Sequence, residues 1–177
     1  FSKLLKQEAS RKPSGQHTLD EEYYKRIEAV QFTISHDDGK IVSDLEKSDV
    51  VLVGISRTSK TPTSIYLANR GYKVSNIPLV NKKSIPDKMK DIKFKPCVVG
   101  LTTEVERLYE IRRNRLASLK EKEITEYINK SEIKKELEDS KKIFRINKWP
   151  IIDVTRKSVE ETAASVIKIY EIEKENG

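Results

Sequence analysis

The sequence has little cysteine, few aromatic residues and no long apolar run, and each shortage excludes a class of protein. A single cysteine, Cys97, excludes a disulfide framework within the chain and suits a reducing cytosol, so we expect a cytoplasmic protein. No apolar run approaches the length of a membrane span and no signal peptide is visible, so no membrane partner is expected. The sequence also lacks a Cys/His cluster with zinc spacing and the G-x-S-x-G elbow of a serine hydrolase.

Charged residues, in contrast, are abundant. Lysine and arginine number 35 against 28 aspartate and glutamate residues, which gives a formal net charge of +7. The lysines are scattered among acidic neighbours and aromatic residues make up only 7% of the chain, so we expect no nucleic-acid partner. The excess charge indicates a solvated surface together with a phosphate site. A length of 177 residues, 36% of them hydrophobic, fits one domain with a sizeable core.

The most informative pattern lies between residues 50 and 69, where a strand, a loop and a helix are predicted in succession. Val50 to Val53 is an apolar, β-branched run typical of a buried strand, and Pro62 suits the first turn of the following helix. The loop between them has the spacing of the phosphate-binding motif G-x-x-x-x-G-K-[ST], with Ser59 at the second glycine. The predicted nucleotide-binding residues are Gly54, Ile55, Ser56, Arg57, Thr58, Ser59, Lys60 and Thr61.

The residue types in this loop match the chemistry of phosphate binding. Unpaired N–H groups and the helix dipole attract anions to the start of a helix. Lys60 can reach terminal phosphate oxygens, Arg57 adds a fixed charge, and the Thr61 hydroxyl can join the shell of a Mg²⁺ ion. If the loop needs a positive φ at Ser59, the serine carries strain that glycine would avoid. The alternative interpretation is a Ser/Thr-rich turn with no ligand.

The remaining pattern predicts an α/β protein with a parallel sheet flanked by helices, of the P-loop kinase class, because strand, helix and strand follow closely. Residues 1–15 are predicted to be a linker or the tail of a missing N-terminal segment, with a loop at 12–15, and residues 16–177 the nucleotide-binding domain. Further strands are predicted at 72–80, 96–102 and 151–155. Further helices are predicted from Thr18 to Thr33, from a cap at Thr102 or Thr103, over 123–148 with Tyr127, Ile133, Leu137, Phe144 and Ile146 on its apolar stripe, and from Ser158.

Two polar clusters each have two possible interpretations. His36, Asp37 and Asp38 precede Gly39, and Asp-Asp-Gly favours a simple turn; the alternative is a base and metal-ligand cluster delivered near the phosphate loop. Arg112 and Arg113 belong to a group of four arginines within nine residues. They are either a clamp over phosphoryl groups or part of a solvated helix face paired with glutamates.

Several motifs together resemble the regulatory proteins of pyruvate, phosphate dikinase and phosphoenolpyruvate synthase. In chain order they are QHTLDEEY at 16–23, HDDG at 36–39, GISRTSKTP at 54–62, WPIIDVT at 149–155 and SVEETA at 158–163. The resemblance extends from about Gln16 to Ile169. It implies a bifunctional enzyme that phosphorylates a threonine of the dikinase or synthase with ADP as donor, which inactivates the target. The same enzyme would reverse this with inorganic phosphate, releasing pyrophosphate.

The resemblance also implies roles for individual residues. Serine at the second glycine is the form that the family itself uses. Lys60 and the loop amides would hold the β-phosphate of ADP, with Arg57 neutralising charge during transfer. The candidates for the catalytic base are His36, Asp37 and Asp38; those for a Mg²⁺ site are Thr61 and Asp38; those for a secondary phosphate clamp are Arg112 and Arg113.

Further expectations concern assembly and alternative activities. Family resemblance suggests a homodimer and a further N-terminal segment before the present chain. Two other functions stay open: an ATP-dependent P-loop kinase of a small metabolite, and a nucleotide-binding regulatory module without catalysis. Donor preference separates the first of these from the main prediction, and turnover separates the second.

Overall fold

The centre of the fold is a four-stranded parallel sheet. A computed structural model describes residues 14–119 and 128–177 of the chain. The strands are β1 (Val50–Gly54), β2 (Val74–Pro78), β3 (Cys97–Thr102) and β4 (Ile151–Asp153), and their spatial order is β2-β1-β3-β4. All pairs are parallel, so the prediction of an α/β protein with a parallel sheet flanked by helices is confirmed.

The helices that flank the sheet have the following bounds: α1 Ser14–Ser35, α2 Lys60–Asn69, α3 Val105–Leu119, α4 Lys130–Ile146 and α5 Val159–Asn176. Short 3₁₀ turns cover Asp37–Gly39, Leu45–Lys47, Lys82–Ser84 and Asp87–Lys90. None of the helices within the described ranges is long and apolar enough to cross a membrane.

Strand β1 is buried on both faces, and its alternating side chains enter two separate cores. On one face, Val53 packs in the cluster that includes Phe144 of α4. On the other face, Leu52 packs in the cluster that includes Val166 of α5. A Cβ atom added at Gly100 of β3 would lie 2.5 Å from the Phe144 ring, so α4 approaches the sheet closely because that position is glycine.

The outer edge of β2 is covered by the end of α1. The backbone N–H of Val74 donates to the Thr33 hydroxyl at 3.1 Å, and that of Asn76 donates to the His36 carbonyl at 3.1 Å. These bonds satisfy two donors that an edge strand would otherwise expose. They also bring the turn after α1, which carries Asp37, to the carboxyl end of β2.

The first predicted helix starts earlier than expected. The predicted loop at 12–15 is wrong for Ser14 and Gly15, which are helical, and Thr18 is not the N-cap. The helix is continuous across the predicted boundary between Gly15 and Gln16, and residues 1–13 lie outside the described ranges.

Two later helices start after their predicted positions. Helix α3 begins at Val105, so a cap at Thr102 or Thr103 is wrong, and the Thr103 hydroxyl instead lies 3.1 Å from that of Thr155. Helix α4 begins at Lys130 because Asn129 caps it, accepting from the N–H groups of the next turn. Residues 123–127 of the predicted helix lie outside the described ranges. The predicted stripe is confirmed at Ile133, Leu137 and Phe144 but wrong at Ile146, which is 78% exposed; Tyr127 lies outside the described residues.

Candidate active site

The loop from 54 to 61 turns sharply at the carboxyl end of β1. A Cβ atom at Gly54 would lie 2.6 Å from the Thr58 hydroxyl and 2.9 Å from the Leu101 carbonyl, so only glycine fits. The Thr58 hydroxyl donates to the Ile55 carbonyl at 2.9 Å, which closes the turn on itself. The sequence motif therefore marks a glycine that the packing requires.

Two residues of this loop have left-handed backbone conformations. Ser59, the N-cap of α2, has a φ of 62°, and Arg57 has a φ of 68°. Such conformations cost about 1 kcal/mol or more for residues with a Cβ atom, and they recur where loops bind ligands. The positive φ on which the predicted strain at Ser59 depends is present, and Arg57 adds a second such position that the sequence did not indicate.

A cavity of about 370 Å³ opens at the start of α2. It is lined by residues 56–62, together with Asp38, Pro78 and Ile111. The first N–H groups of α2 belong to this segment and have no intrahelical acceptors, so they are available to an anion. Six of the eight predicted nucleotide-binding residues therefore line one cavity.

Lys60 is buried at this cavity. Its side chain is 6% exposed, and its ammonium group donates to the Ile55 carbonyl at 2.8 Å. Burial lowers the pKa of Lys60 from 10.5 to about 8, although the charges of Asp38 and Asp37 act in the opposite direction. A bound phosphate would add further negative charge beside this ammonium group.

The turn after α1 brings two carboxylates to the phosphate loop. The Asp37 Oδ1 atom accepts hydrogen bonds from the Thr61 hydroxyl at 3.0 Å and from the Asn76 amide at 2.5 Å. Asp38, with a φ of 51°, lines the cavity itself. Asp37–Gly39 thus form the turn that their residue types favour, and this turn also lies close to the loop of residues 54–61.

These positions bear on where a magnesium ion would bind. Thr61 and Asp38 were the predicted pair, whereas the carboxylate in contact with the Thr61 hydroxyl is that of Asp37. Among the described residues, no group of three or more His, Cys, Asp or Glu side chains is arranged to hold a metal. Mg²⁺ at phosphate-transfer sites needs only one or two carboxylates, because water and substrate phosphates complete its shell, so the donor set fits.

His36 points into the protein. Its side chain is 3% exposed, Nε2 lies 2.7 Å from the Asp44 carboxylate, and Nδ1 lies 2.7 Å from the Phe32 carbonyl. The hydrogen bond from His36 lowers the pKa of Asp44. Because each ring nitrogen faces an acceptor within the protein, the geometry supports an anchoring role for His36 at the start of the turn.

The two candidate clamp arginines have different environments. Arg112 is 1% exposed, and its guanidinium donates to both carboxylate oxygens of Glu136, at 3.1 and 2.8 Å, and to the Ser56 carbonyl at 3.4 Å. Arg113 is exposed, with its guanidinium 5.9 Å from the centre of the Tyr109 ring. The structure thus places Arg112 against the phosphate loop through a carbonyl group and leaves Arg113 on the surface.

Comparison with known proteins gives the family. A family model described as kinase/pyrophosphorylase matches residues 1–167. A protein of Pelagibacter ubique, provisionally named pyruvate, phosphate dikinase regulatory protein, is 66% identical over 177 residues, which is all of this chain and 65% of that protein. A protein of Erythrobacter litoralis with the same name is 55% identical over 166 residues, 94% of this chain and 59% of its own length.

A more distant protein with this name, from Chelativorans, is 45% identical over 169 residues, 96% of this chain and 62% of its own length. The chain therefore spans less than two thirds of the length of these relatives. The match to the family model covers most of the chain, and the relatives carry the name that the sequence motifs indicated. The chain belongs to the kinase/pyrophosphorylase family, as the resemblance predicted.

Proposed function

We propose that the protein phosphorylates a threonine of pyruvate, phosphate dikinase with ADP as donor, and removes that phosphate with inorganic phosphate as acceptor. One observation carries the proposal: the cavity at the start of α2 combines a buried lysine, open helix N–H groups and a carboxylate, Asp38. Family membership supports the two reactions, and the names of the relatives favour the dikinase over phosphoenolpyruvate synthase as target.

The donor would bind through its phosphates. The N–H groups at the start of α2 and the Lys60 ammonium would hold the β-phosphate of ADP, and Arg57 would offset charge as the phosphoryl group moves. Thr61 and Asp37 would hold a Mg²⁺ ion, which supplies positive charge to the phosphate oxygens. This assignment differs from the sequence prediction in replacing Asp38 by Asp37, because Asp37 contacts the Thr61 hydroxyl.

Asp38 is then the base that the transfer needs. In the kinase direction it takes the proton of the target threonine while the threonine oxygen forms a bond to the β-phosphorus of ADP, and AMP leaves. In the phosphorolysis direction an oxygen of inorganic phosphate bonds to the phosphorus of phosphothreonine while the bond from that phosphorus to the threonine oxygen breaks. Protonated Asp38 gives its proton to the departing threonine oxygen, and the pyrophosphate formed is released. A carboxylate suits both directions because it can accept a proton in the first reaction and, when protonated, donate one in the second.

The test is a transfer assay on purified dikinase held in its phosphohistidine form. With ADP labelled at the β-phosphate, we expect phosphothreonine and AMP; with ATP we expect no transfer. Lys60→Ala should abolish transfer, and Asp38→Asn should slow it by about 10²–10⁴-fold. Asp87→Asn, at an aspartate that is 99% exposed, is the matched control and should be unchanged.

Three outcomes would contradict the proposal. Equal use of ATP would indicate a different class of kinase, and ADP binding without turnover would indicate a regulatory module. An Asp38→Asn protein as active as the Asp87→Asn protein would exclude Asp38 as the base. The proposal also includes a cytoplasmic location and a homodimer, and light scattering of the purified protein tests the latter.

A further inference from the structure

Asn76 is a buried amide at the junction of the two halves of the candidate site. Its side chain is 1% exposed and belongs to β2, where it lies beside Leu52 of β1. The amide Nδ2 donates to Asp37 Oδ1 at 2.5 Å and to Thr61 Oγ1 at 3.2 Å. These two acceptors come from the turn after α1 and from the first turn of α2, which are far apart in the chain.

Asn76 makes hydrogen bonds that packing in a buried strand does not require. A buried amide costs free energy unless its polar atoms are bonded, and an apolar side chain of similar shape would avoid that cost. The Oδ1 atom of Asn76 has no hydrogen-bond partner in the described part of the chain, so the amide is only half satisfied. Its backbone N–H also donates to the His36 carbonyl, so the residue holds the Asp37 turn through main chain and side chain.

We propose that Asn76 is a positioning residue that holds the Asp37 carboxylate beside the Thr61 hydroxyl and so sets the affinity of the site for a divalent cation. The inference rests on the proposed function, in which Asp37 and Thr61 hold Mg²⁺. The Nδ2 group donates and never competes for the cation, whereas both of its acceptors are oxygens with further lone pairs. It fixes the spacing of two oxygens before the cation arrives, which removes part of the ordering cost of binding.

A substitution can distinguish a positioning role of Asn76, which affects cation affinity, from a purely structural role, which affects only the stability of the fold. Removal of groups that orient metal ligands typically costs about 10–100-fold in metal affinity. Asn76→Leu keeps the branching of the side chain at Cγ, removes the donor and also removes the unpartnered Oδ1 atom, so the loss of the amide is offset and the protein should stay folded. Cation affinity should nevertheless fall.

Ser75→Ala is the matched control. Ser75 precedes Asn76 in the same strand, is fully buried, and bonds the Ser48 hydroxyl at 2.7 Å on the opposite face of the sheet. Its loss removes a buried hydrogen bond from β2 without touching Asp37 or Thr61. Any general weakening of the strand should therefore appear equally in this variant.

The experiment measures Mn²⁺ binding by electron paramagnetic resonance with ADP present, and ADP binding in EDTA by calorimetry. We expect Mn²⁺ to bind about 10–100-fold more weakly to Asn76→Leu than to the wild type, with ADP affinity in EDTA changed less than about twofold. The apparent KM for Mg²⁺ should rise while kcat at saturating Mg²⁺ stays close to that of the wild type. Ser75→Ala should match the wild type in all these measurements.

Two results would overturn the inference, and they are distinguishable. Wild-type Mn²⁺ affinity in a folded Asn76→Leu protein would overturn the role of Asn76 and leave the proposed function standing. A wild-type protein that binds ADP but no Mn²⁺ would overturn the cation site of the proposed function, and the inference with it.

Discussion

Replacing Lys60 with methionine is expected to stabilise the ligand-free protein while abolishing its activity. Burial of Lys60 lowers its pKa from 10.5 to about 8. At about 1.4 kcal/mol per pKa unit, keeping the buried ammonium charged at pH 7 costs about 3 kcal/mol of folding free energy. Methionine has a similar length and no charge. The Ile55 carbonyl keeps the Thr58 hydroxyl as a donor, so the substitution leaves no acceptor unbonded.

The pH dependence of this difference follows from the lowered pKa. Below pH 8 the lysine is protonated in both the folded and the unfolded protein, so the full cost is present. Between about pH 8 and 10.5 the folded protein releases the proton while the unfolded chain keeps it, so wild-type stability rises relative to the variant. The difference in unfolding free energy should therefore shrink steadily over this range.

Urea unfolding at pH 7, 8, 9 and 10 measures the difference, and thermal unfolding gives an independent value. About 3 kcal/mol corresponds to a midpoint about 6–12 °C higher for Lys60→Met at pH 7 in a domain of this size. Lys142→Met on α4, at a lysine that is 70% exposed, is the control and should change the free energy by less than about 0.5 kcal/mol. A Lys60→Met protein no more stable than wild type, or a difference that is constant across pH, would refute the reasoning.

Three further sets of substitutions, at Gly54, at the Arg112–Glu136 pair and at the Gly100–Phe144 pair, test the packing around the site. Gly54→Ala forces the loop to shift, so we expect about 2 kcal/mol lower unfolding free energy and weaker ADP binding in a thermal titration; wild-type behaviour would contradict the fit. Glu136→Gln leaves the buried Arg112 guanidinium without its carboxylate and should destabilise the protein by about 2–3 kcal/mol in urea. Arg112→Met should cost less, because Glu136 is 40% exposed and water can solvate it; equal losses would contradict this. Gly100→Ala should lower the free energy of unfolding by about 1–3 kcal/mol, because the new Cβ atom would meet the Phe144 ring. Adding Phe144→Leu should recover part of this loss. If the losses of the two substitutions simply add, the two positions are not in contact.

The strand, loop and helix around residues 54–61 could be predicted from the sequence because their determinants are local. Strand, loop and helix signals follow one another within about twenty residues, and the glycine and lysine are at fixed spacing. The sheet followed from the same logic, since a strand, a helix and a strand joined closely must pair in parallel. Asp38 was placed at the loop only through the resemblance of the whole set of motifs.

The rest of the site depends on contacts between distant segments. Asn76 lies 39 residues from Asp37 and was missed, although an amide within a buried strand next to the loop is itself a signal of such a contact. A turn pattern does not tell which way each side chain points, so His36, Asp37 and Asp38 were predicted as one cluster of base candidates, whereas His36 is buried and Asp37 contacts the Thr61 hydroxyl. Arg112 could have been identified as buried, because it repeats at helical spacing with Leu108 and Leu116.

The end of α1, which covers the outer edge of β2, links the geometry of the candidate site to the protein's resistance to aggregation. Thr33 and His36 occupy the N–H groups of Val74 and Asn76 there, and an uncovered edge strand is a template for pairing with another chain. Detachment of the last turn of α1 would withdraw Asp37 from the phosphate loop and expose that template at the same moment. We therefore expect damage to this turn to disrupt the candidate site and to promote intermolecular β-pairing together, so that aggregation would accompany loss of the site.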